Sequence, residues 1–130
     1  MKLLLDADTL IGALDSSDAH HERARTLFTG VRERQDVLSI SVVNLTEVLI
    51  APAVDASRLA RAREAIAALG VTSHQPSEAI AVDAARLRGR YPISLPDAYL
   101  LATARHTGAA IATFDRKVQQ AAQREGLTLA

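Results

Sequence analysis

LLLDADTLIG, residues 3–12, is an apolar run that stops on two acids, Asp6 and Asp8, before the apolar pattern resumes. The run KLLLDA has the length and the continuous apolar character of a buried strand. A strand ending on carboxylates raises two questions: what fold it belongs to, and what the acids do where it ends.

The rest of the chain answers the first. SDAHHERARTLFTGVRERQ places Ala19, Ala24, Leu27, Phe28 and Val31 at helical spacing among charges, with Ser17 or Asp18 as its cap. DVLSIS reads as a second strand, and VVNLTEVLIAP as a short helix stopped at Pro52. ASRLARAREAIAALG carries Leu59, Ala62, Ile66 and Leu69 on one face, with Gly70 as its stop. GVTSHQ is a weak third strand, and SEAIAVDAARLRGRY is a helix capped near Ser77. SLPDAYLLATARHTG is a helix ending at Gly108. AAIATF follows as a strand, DRKVQQAAQREG as a helix and LTLA as a last short strand. Strands alternating with helices predict an α/β fold with a mainly parallel sheet, residues 1–130 forming one domain. In such sheets function gathers beyond the carboxyl ends of the strands, which points at Asp6 and at Asp115.

Composition narrows the function classes. Fifteen acidic and fifteen basic side chains balance, so no global basic field draws the chain to nucleic acid. Thirteen of the fifteen cations are Arg, the side chain suited to bidentate contact with phosphate or carboxylate. With no Trp, two Phe and two Tyr, base stacking on aromatic platforms is not the main binding mode. The absence of Cys excludes disulfides and thiolate zinc sites, and no His pair has metal-ligand spacing. No apolar run reaches the ~18 residues of a membrane span, and no secretory signal precedes the first strand, so a cytoplasmic protein is expected.

Each acid has a local role open to it. Asp6 suits an Asx-turn, Asp8 or Asp115 a helix cap, Glu47 an exposed helix face, and Ser94 with Asp97 a capping box in which Pro96 fits the first turn. Taken together they suggest more. Asp6 ends a strand, Glu47 lies between Leu45 and Val48, Asp97 opens the apolar AYLLATA, and Asp115 follows a strand. Acids at the rim of a core are desolvated, and several converging there repel one another unless a cation neutralises them. Hard divalent ions such as Mg²⁺ or Mn²⁺ take such ligands while keeping waters. A site of that kind suits phosphoryl-ester hydrolysis without a protein nucleophile.

LLLDADTLIGALD, SISVVNLTEVL and RYPISLPDAYLLATARHTGAAIATFDRKV together resemble the PIN-domain ribonucleases, and more narrowly the VapC-like toxins of bacterial toxin–antitoxin pairs. The resemblance spans essentially the whole chain and includes the order of four acids. It implies a three-layer α/β/α domain, a homodimer, a cognate antitoxin covering the site, and endonucleolytic cleavage of structured RNA such as tRNA or rRNA. By the same resemblance Asp6 and Asp97 hold magnesium, Glu47 and Asp115 complete the acidic pocket directly or through water, and Thr113 is a hydroxyl beside the fourth acid. The chain departs from the family at Asp8, often Asn, Ser or Thr, which is expected to shape the turn rather than join the metal shell. It departs again at Phe114, where many relatives carry a basic residue. Arg116 and Lys117 then stand as nearby phosphate contacts. Arg86, Arg88 and Arg90 form either a solvated helix end or an RNA-phosphate track.

Two alternatives stay open. A haloacid-dehalogenase-type phosphatase also ends a strand on D-x-D, but its Thr or Val would fall at Leu10, and the only lysines are Lys2 and Lys117. A non-catalytic PIN-like binding module would keep the fold without the chemistry.

Overall fold

A computed structural model describes residues 1–130. Four short strands, β1 (Lys2–Leu5), β2 (Val37–Ser41), β3 (Val71–His74) and β4 (Ala110–Ala112), form one sheet in the order β3-β2-β1-β4. Every pairing is parallel, so the sheet is fully rather than mainly parallel. The connecting helices are α1 (Ala7–Leu14), α2 (His21–Arg34), α3 (Val42–Leu49), α4 (Ala56–Ala68), α5 (Glu78–Arg90), α6 (Leu95–Thr107) and α7 (Arg116–Arg124). Pro52 opens a single 3₁₀ turn between α3 and α4.

Alternation along the strands builds the layers. Leu3 and Leu5 enter one core with Leu10, Val31, Leu38, Ile40, Val48 and Ile66. Leu4, pointing the other way, enters a second core with Ile80, Leu87, Leu100, Leu101, Ile111 and Val118. The sheet is therefore buried on both faces, α1–α4 supplying one outer layer and α5–α7 the other. β1 and β4 are near-continuous apolar runs for that reason, whereas the edge strand β3 leaves Thr72 and Ser73 exposed. No helix is long and apolar enough to cross a membrane.

Most helix boundaries follow the local chemistry of the sequence. Ser77 caps α5, Ser94 and Asp97 form the capping box of α6, and Gly108 ends α6 at φ 73°, a conformation that favours glycine. Two expectations are corrected. α2 begins at His21 and is capped by neither Ser17 nor Asp18. The Asp15 carboxylate accepts from Ser17, and that of Asp18 from the His20 N–H, so these side chains stabilise a turn that competes with the helix. LTLA is not a strand but a single bridge between Leu129 and Ile111, since only the few residues after Gly126 reach β4.

From β1 the chain steps outward through β2 to β3, then crosses back to place β4 on the other side of β1. The connections leaving β1 and β4 diverge onto opposite faces of the sheet. The crevice beyond the carboxyl ends of these two strands is a topological switch point, where open α/β sheets bind ligands.

Candidate active site

Asp6 and Thr113 occupy that crevice. Leu5 pairs with Ala112, and the Asp6 N–H donates to the Ala112 carbonyl at 3.2 Å, bringing the ends of β1 and β4 side by side. Asp6 is 5% exposed and caps α1: its Oδ1 accepts from the Thr9 N–H at 2.8 Å. Its Oδ2 accepts from the Thr113 hydroxyl at 2.5 Å. Thr113 Oγ1 in turn accepts from the Asp115 N–H at 3.1 Å, so one hydroxyl joins the first and fourth acids. Burial pushes the Asp6 carboxyl above its ordinary range and the charge of Asp8 adds to this, against the lowering effect of the hydrogen bonds from Thr113 and Thr9.

Glu47 enters the same field. It is half-buried on α3, and its carboxyl is raised first by burial and then by the charges of Asp97, Asp8 and Asp6. Four carboxylates from three elements thus act on one another. The donor that opposes this is Asn44, one helical turn before Glu47 and fully buried. Asn44 Nδ2 donates to the Pro96 carbonyl at 3.2 Å and to Glu47 Oε1 at 3.5 Å. It thereby ties α3 to the turn that carries Asp97. Asn44 Oδ1 is buried and has no partner.

Asp97 and Asp115 also hold the local roles that the sequence offers them. Asp97 Oδ2 accepts from the Ser94 N–H, and Asp115 Oδ1 accepts from the Lys117 and Val118 N–H groups. In Asp97, Asp115 and Glu47 one oxygen fixes local structure while the other accepts no hydrogen bond from the chain. These free oxygens are hard donors, and with the mutual repulsion around Glu47 they fit a divalent cation that retains water. No three His, Asp or Glu side chains converge into a preformed metal cage. The pocket is one of carboxylates around a gap rather than a closed site.

The turn role expected of Asp8 is corrected: Asp6 makes the capping bond, because its backbone is extended and its carboxylate faces the Thr9 N–H. Asp8 is an exposed residue in the first turn of α1, acting on Asp6 and Glu47 by charge alone. Arg116 and Lys117 are exposed beside Asp115 and pair with no acid. Arg86 and Arg88 are exposed on α5 and nothing ties them to the pocket. Arg90 is not a free cation: it pairs with Glu125, just past the C-terminus of α7, whereas Asp115 caps the opposite end.

Asn44 and the Thr9 hydroxyl, which donates to the Ala112 carbonyl at 3.2 Å, brace the surroundings of Asp6 and Glu47 and were missed by sequence reasoning. For Asn44 the signal was present: a polar residue inside an apolar helix, three places before an acid.

The all-parallel α/β/α architecture, with the buried Asp6 at its switch point, agrees with the family comparison. The PIN domain model matches residues 3–124, and the chain belongs to that family. No curated protein matches the sequence. Among solved structures, a toxin–antitoxin complex from Klebsiella pneumoniae is 27% identical, with 87% of this chain and 86% of that chain covered and a TM-score of 0.66. Mycobacterium tuberculosis VapC20, a sarcin–ricin-loop-cleaving toxin, shares the fold at a TM-score of 0.72 and 16% identity, over 92% of this chain and 94% of its own. VapBC-1 from nontypeable Haemophilus influenzae does so at 0.72 and 19%, over 100% and 97%. These matches do not favour the phosphatase alternative.

Proposed function

We propose that the protein is a divalent-metal-dependent endoribonuclease and the toxin of a toxin–antitoxin pair. The observation that supports the reading is a buried Asp6 at the β1–β4 crevice of a PIN domain, bonded to Thr113 and sharing one electrostatic field with Glu47 and Asp97. Asp6 and Asp97 would hold Mg²⁺ or Mn²⁺, with Glu47 and Asp115 acting directly or through bound water. When bound, the ion would supply charge neutralisation of the phosphodiester transition state and a water of lowered pKa. The chain's own groups prepare the site: Thr113 fixes the Asp6 carboxylate, Asn44 fixes Glu47, and Thr9 holds the start of α1 against β4. A small antitoxin covering the site belongs to the same reading, which the toxin–antitoxin structures among the neighbours support, and a homodimer belongs to it as the family resemblance implies.

Purified protein is expected to cleave total RNA with Mg²⁺ or Mn²⁺, and Asp6→Asn and Asp97→Asn to lose that cleavage. Variants that cleave as fast as the parent would remove these acids from the chemistry. Expression of the chain alone should arrest growth, and co-expression of the adjacent small gene should relieve it. An RNA-cleaving but harmless chain would contradict the toxin role while leaving the nuclease intact.

A further inference from the structure

Phe114 lies between Thr113, which bonds Asp6, and Asp115, which caps α7, and its ring turns toward the start of α2. The His20 ring centroid is 5.2 Å from that of Phe114 at an interplanar angle of 34°. The Arg23 guanidinium carbon lies 4.3 Å from the Phe114 centroid, over the ring face. Arg23 is exposed and has no carboxylate within ion-pairing distance, unlike Arg25, Arg34, Arg90 and Arg105, each of which is paired. A long cationic side chain is thus held in place by an aromatic face rather than by an acid.

The base of Arg23 is fixed as well. His21 Nδ1 lies 2.8 Å from the Gly12 carbonyl, binding the first turn of α2 to α1. A Cβ on Gly12 would meet the His20 carbonyl oxygen at 3.2 Å and Ala24 Cβ at 3.3 Å, so Gly12 lets the two helices approach closely without displacing either. α1 is the helix that Asp6 caps. Arg23 is therefore anchored at its root to the element that begins at the first acid, and at its head to the residue between Thr113 and the fourth.

We propose that Arg23, seated on Phe114, is a phosphate-binding subsite for the RNA strand at the edge of the acidic pocket. The proposal rests on the ribonuclease reading and extends it to a substrate contact. A strand approaching a cluster of carboxylates in a protein of zero net charge needs local cations to bind at all. Arg23, Arg116 and Lys117 lie around the Phe114–Asp115 edge with their charges unneutralised by acids. A guanidinium is weakly hydrated and presents a fork that matches phosphate oxygens, and seating it on a ring reduces the freedom lost on binding. The ligand group is a phosphate rather than a base, because Phe114 is half-buried with one face taken by Arg23 and His20 tilted against it.

The test is the affinity of a short fluorescein-labelled single-stranded RNA of mixed sequence. It is measured by anisotropy in EDTA across a series of KCl concentrations, with KM for total RNA measured alongside. Arg23→Gln should weaken binding roughly three- to tenfold and reduce the slope of log K against log[salt] by about 0.7, the loss of one phosphate contact. Its kcat should stay within about twofold, since the subsite positions the strand. Arg23→Lys should restore the slope but only part of the affinity. Phe114→Leu should reproduce the loss, and the double variant should be no weaker than Arg23→Gln alone, because the two side chains act as a unit. Wild-type affinity and salt slope in Arg23→Gln would overturn the proposal. If the wild type cleaves no RNA, the ribonuclease reading fails instead, and that result is independent of the anisotropy slopes.

Discussion

Replacing Asp6 by Asn and by Ala should separate what this carboxylate does for the fold from what it does for chemistry. The buried Asp6 carboxylate accepts from the Thr9 N–H and the Thr113 hydroxyl. Burial and the Asp8 charge nevertheless push its acidity the other way and win, so its pKa is raised. A raised carboxylate binds its proton more tightly in the native than in the unfolded chain. The resulting stability is present below the unfolded value of about 3.9 and is lost as pH rises through the native value. At neutral pH the ionised Asp6 is therefore a net cost to the fold. Asn caps a helix as well as Asp does, and the Thr113 hydroxyl can rotate to accept from its NH₂. Asp6→Asn should consequently melt at or above the parent at neutral pH without divalent ions, and the gain should vanish below about pH 4.

Asp6→Ala loses the cap, about 1 kcal/mol, and leaves two buried donors unpaired, for a combined cost of about 2 kcal/mol. At roughly 4 °C per kcal/mol for a domain of this length, its melting point should fall by about 8 °C. Both variants should be inactive on RNA. Thermal melts from about pH 4 to about pH 8, paired with RNA cleavage, make the comparison. If Asp6→Asn were destabilised at neutral pH as much as Asp6→Ala, the carboxylate would be a net stabiliser and the reasoning from its burial would be wrong.

Glu125 should behave in the opposite sense. Hydrogen bonds from Tyr91, Arg105 and Arg90 hold its carboxyl down from 4.5 to about 2. The full conversion of about 3 kcal/mol is roughly halved by solvent screening, since Arg90 is 58% and Arg105 38% exposed. Glu125→Gln should lower the melting point by roughly 4–8 °C at neutral pH, the difference closing as pH falls from about 4.5 toward 2, with RNA cleavage unchanged; an unchanged melting point would show the cluster to be inert. Asn44→Leu leaves the Pro96 carbonyl and Glu47 without their donor; it should cost about 1–2 kcal/mol in chemical denaturation and depress kcat far more than KM. Asp8→Asn should shift stability by less than about 0.5 kcal/mol and move the acid limb of the pH–rate profile downward, because it removes a charge that raises Asp6 and Glu47; a collapse of activity would instead place Asp8 among the metal ligands.

What was legible in the sequence was local. β1 and most of the helices announce themselves through apolar period and capping residues, and Ser77, Ser94 with Asp97, and Gly108 act where the spelling puts them. What was not legible depends on distance along the chain or on competition between neighbours. The pairing of Leu3 with Ala110, which makes the crevice, joins residues more than a hundred positions apart. The spelling suggests Asp6 for a turn and Asp8 for the cap, and the extended backbone at Asp6 gives it the cap instead. Arg90 reads as a free cation because its partner Glu125 is thirty-five residues away. Phe114 stands out in its segment, but nothing in the sequence pairs it with Arg23, ninety-one positions away.

That three of the proposed catalytic acids sit at helix N-termini has a common physical origin. A crevice at the ends of parallel strands is also where helices begin, and helix N-termini carry unpaired N–H groups and a partial positive charge. Asp6, Asp97 and Asp115 each lie in such a position, so the backbone offsets part of the repulsion that gathering them would create. Glu47 does not. It sits in the last turn of α3, where the helix dipole disfavours a negative charge, and it is raised by burial and by three neighbouring acids. Its protein donor is the Asn44 amide, the same group that holds α3 to the Asp97 turn. Three of the acids are thus supported by the architecture and the fourth by one side chain. Loss of Asn44 should therefore injure the site through Glu47 first, while the other three carboxylates keep their places.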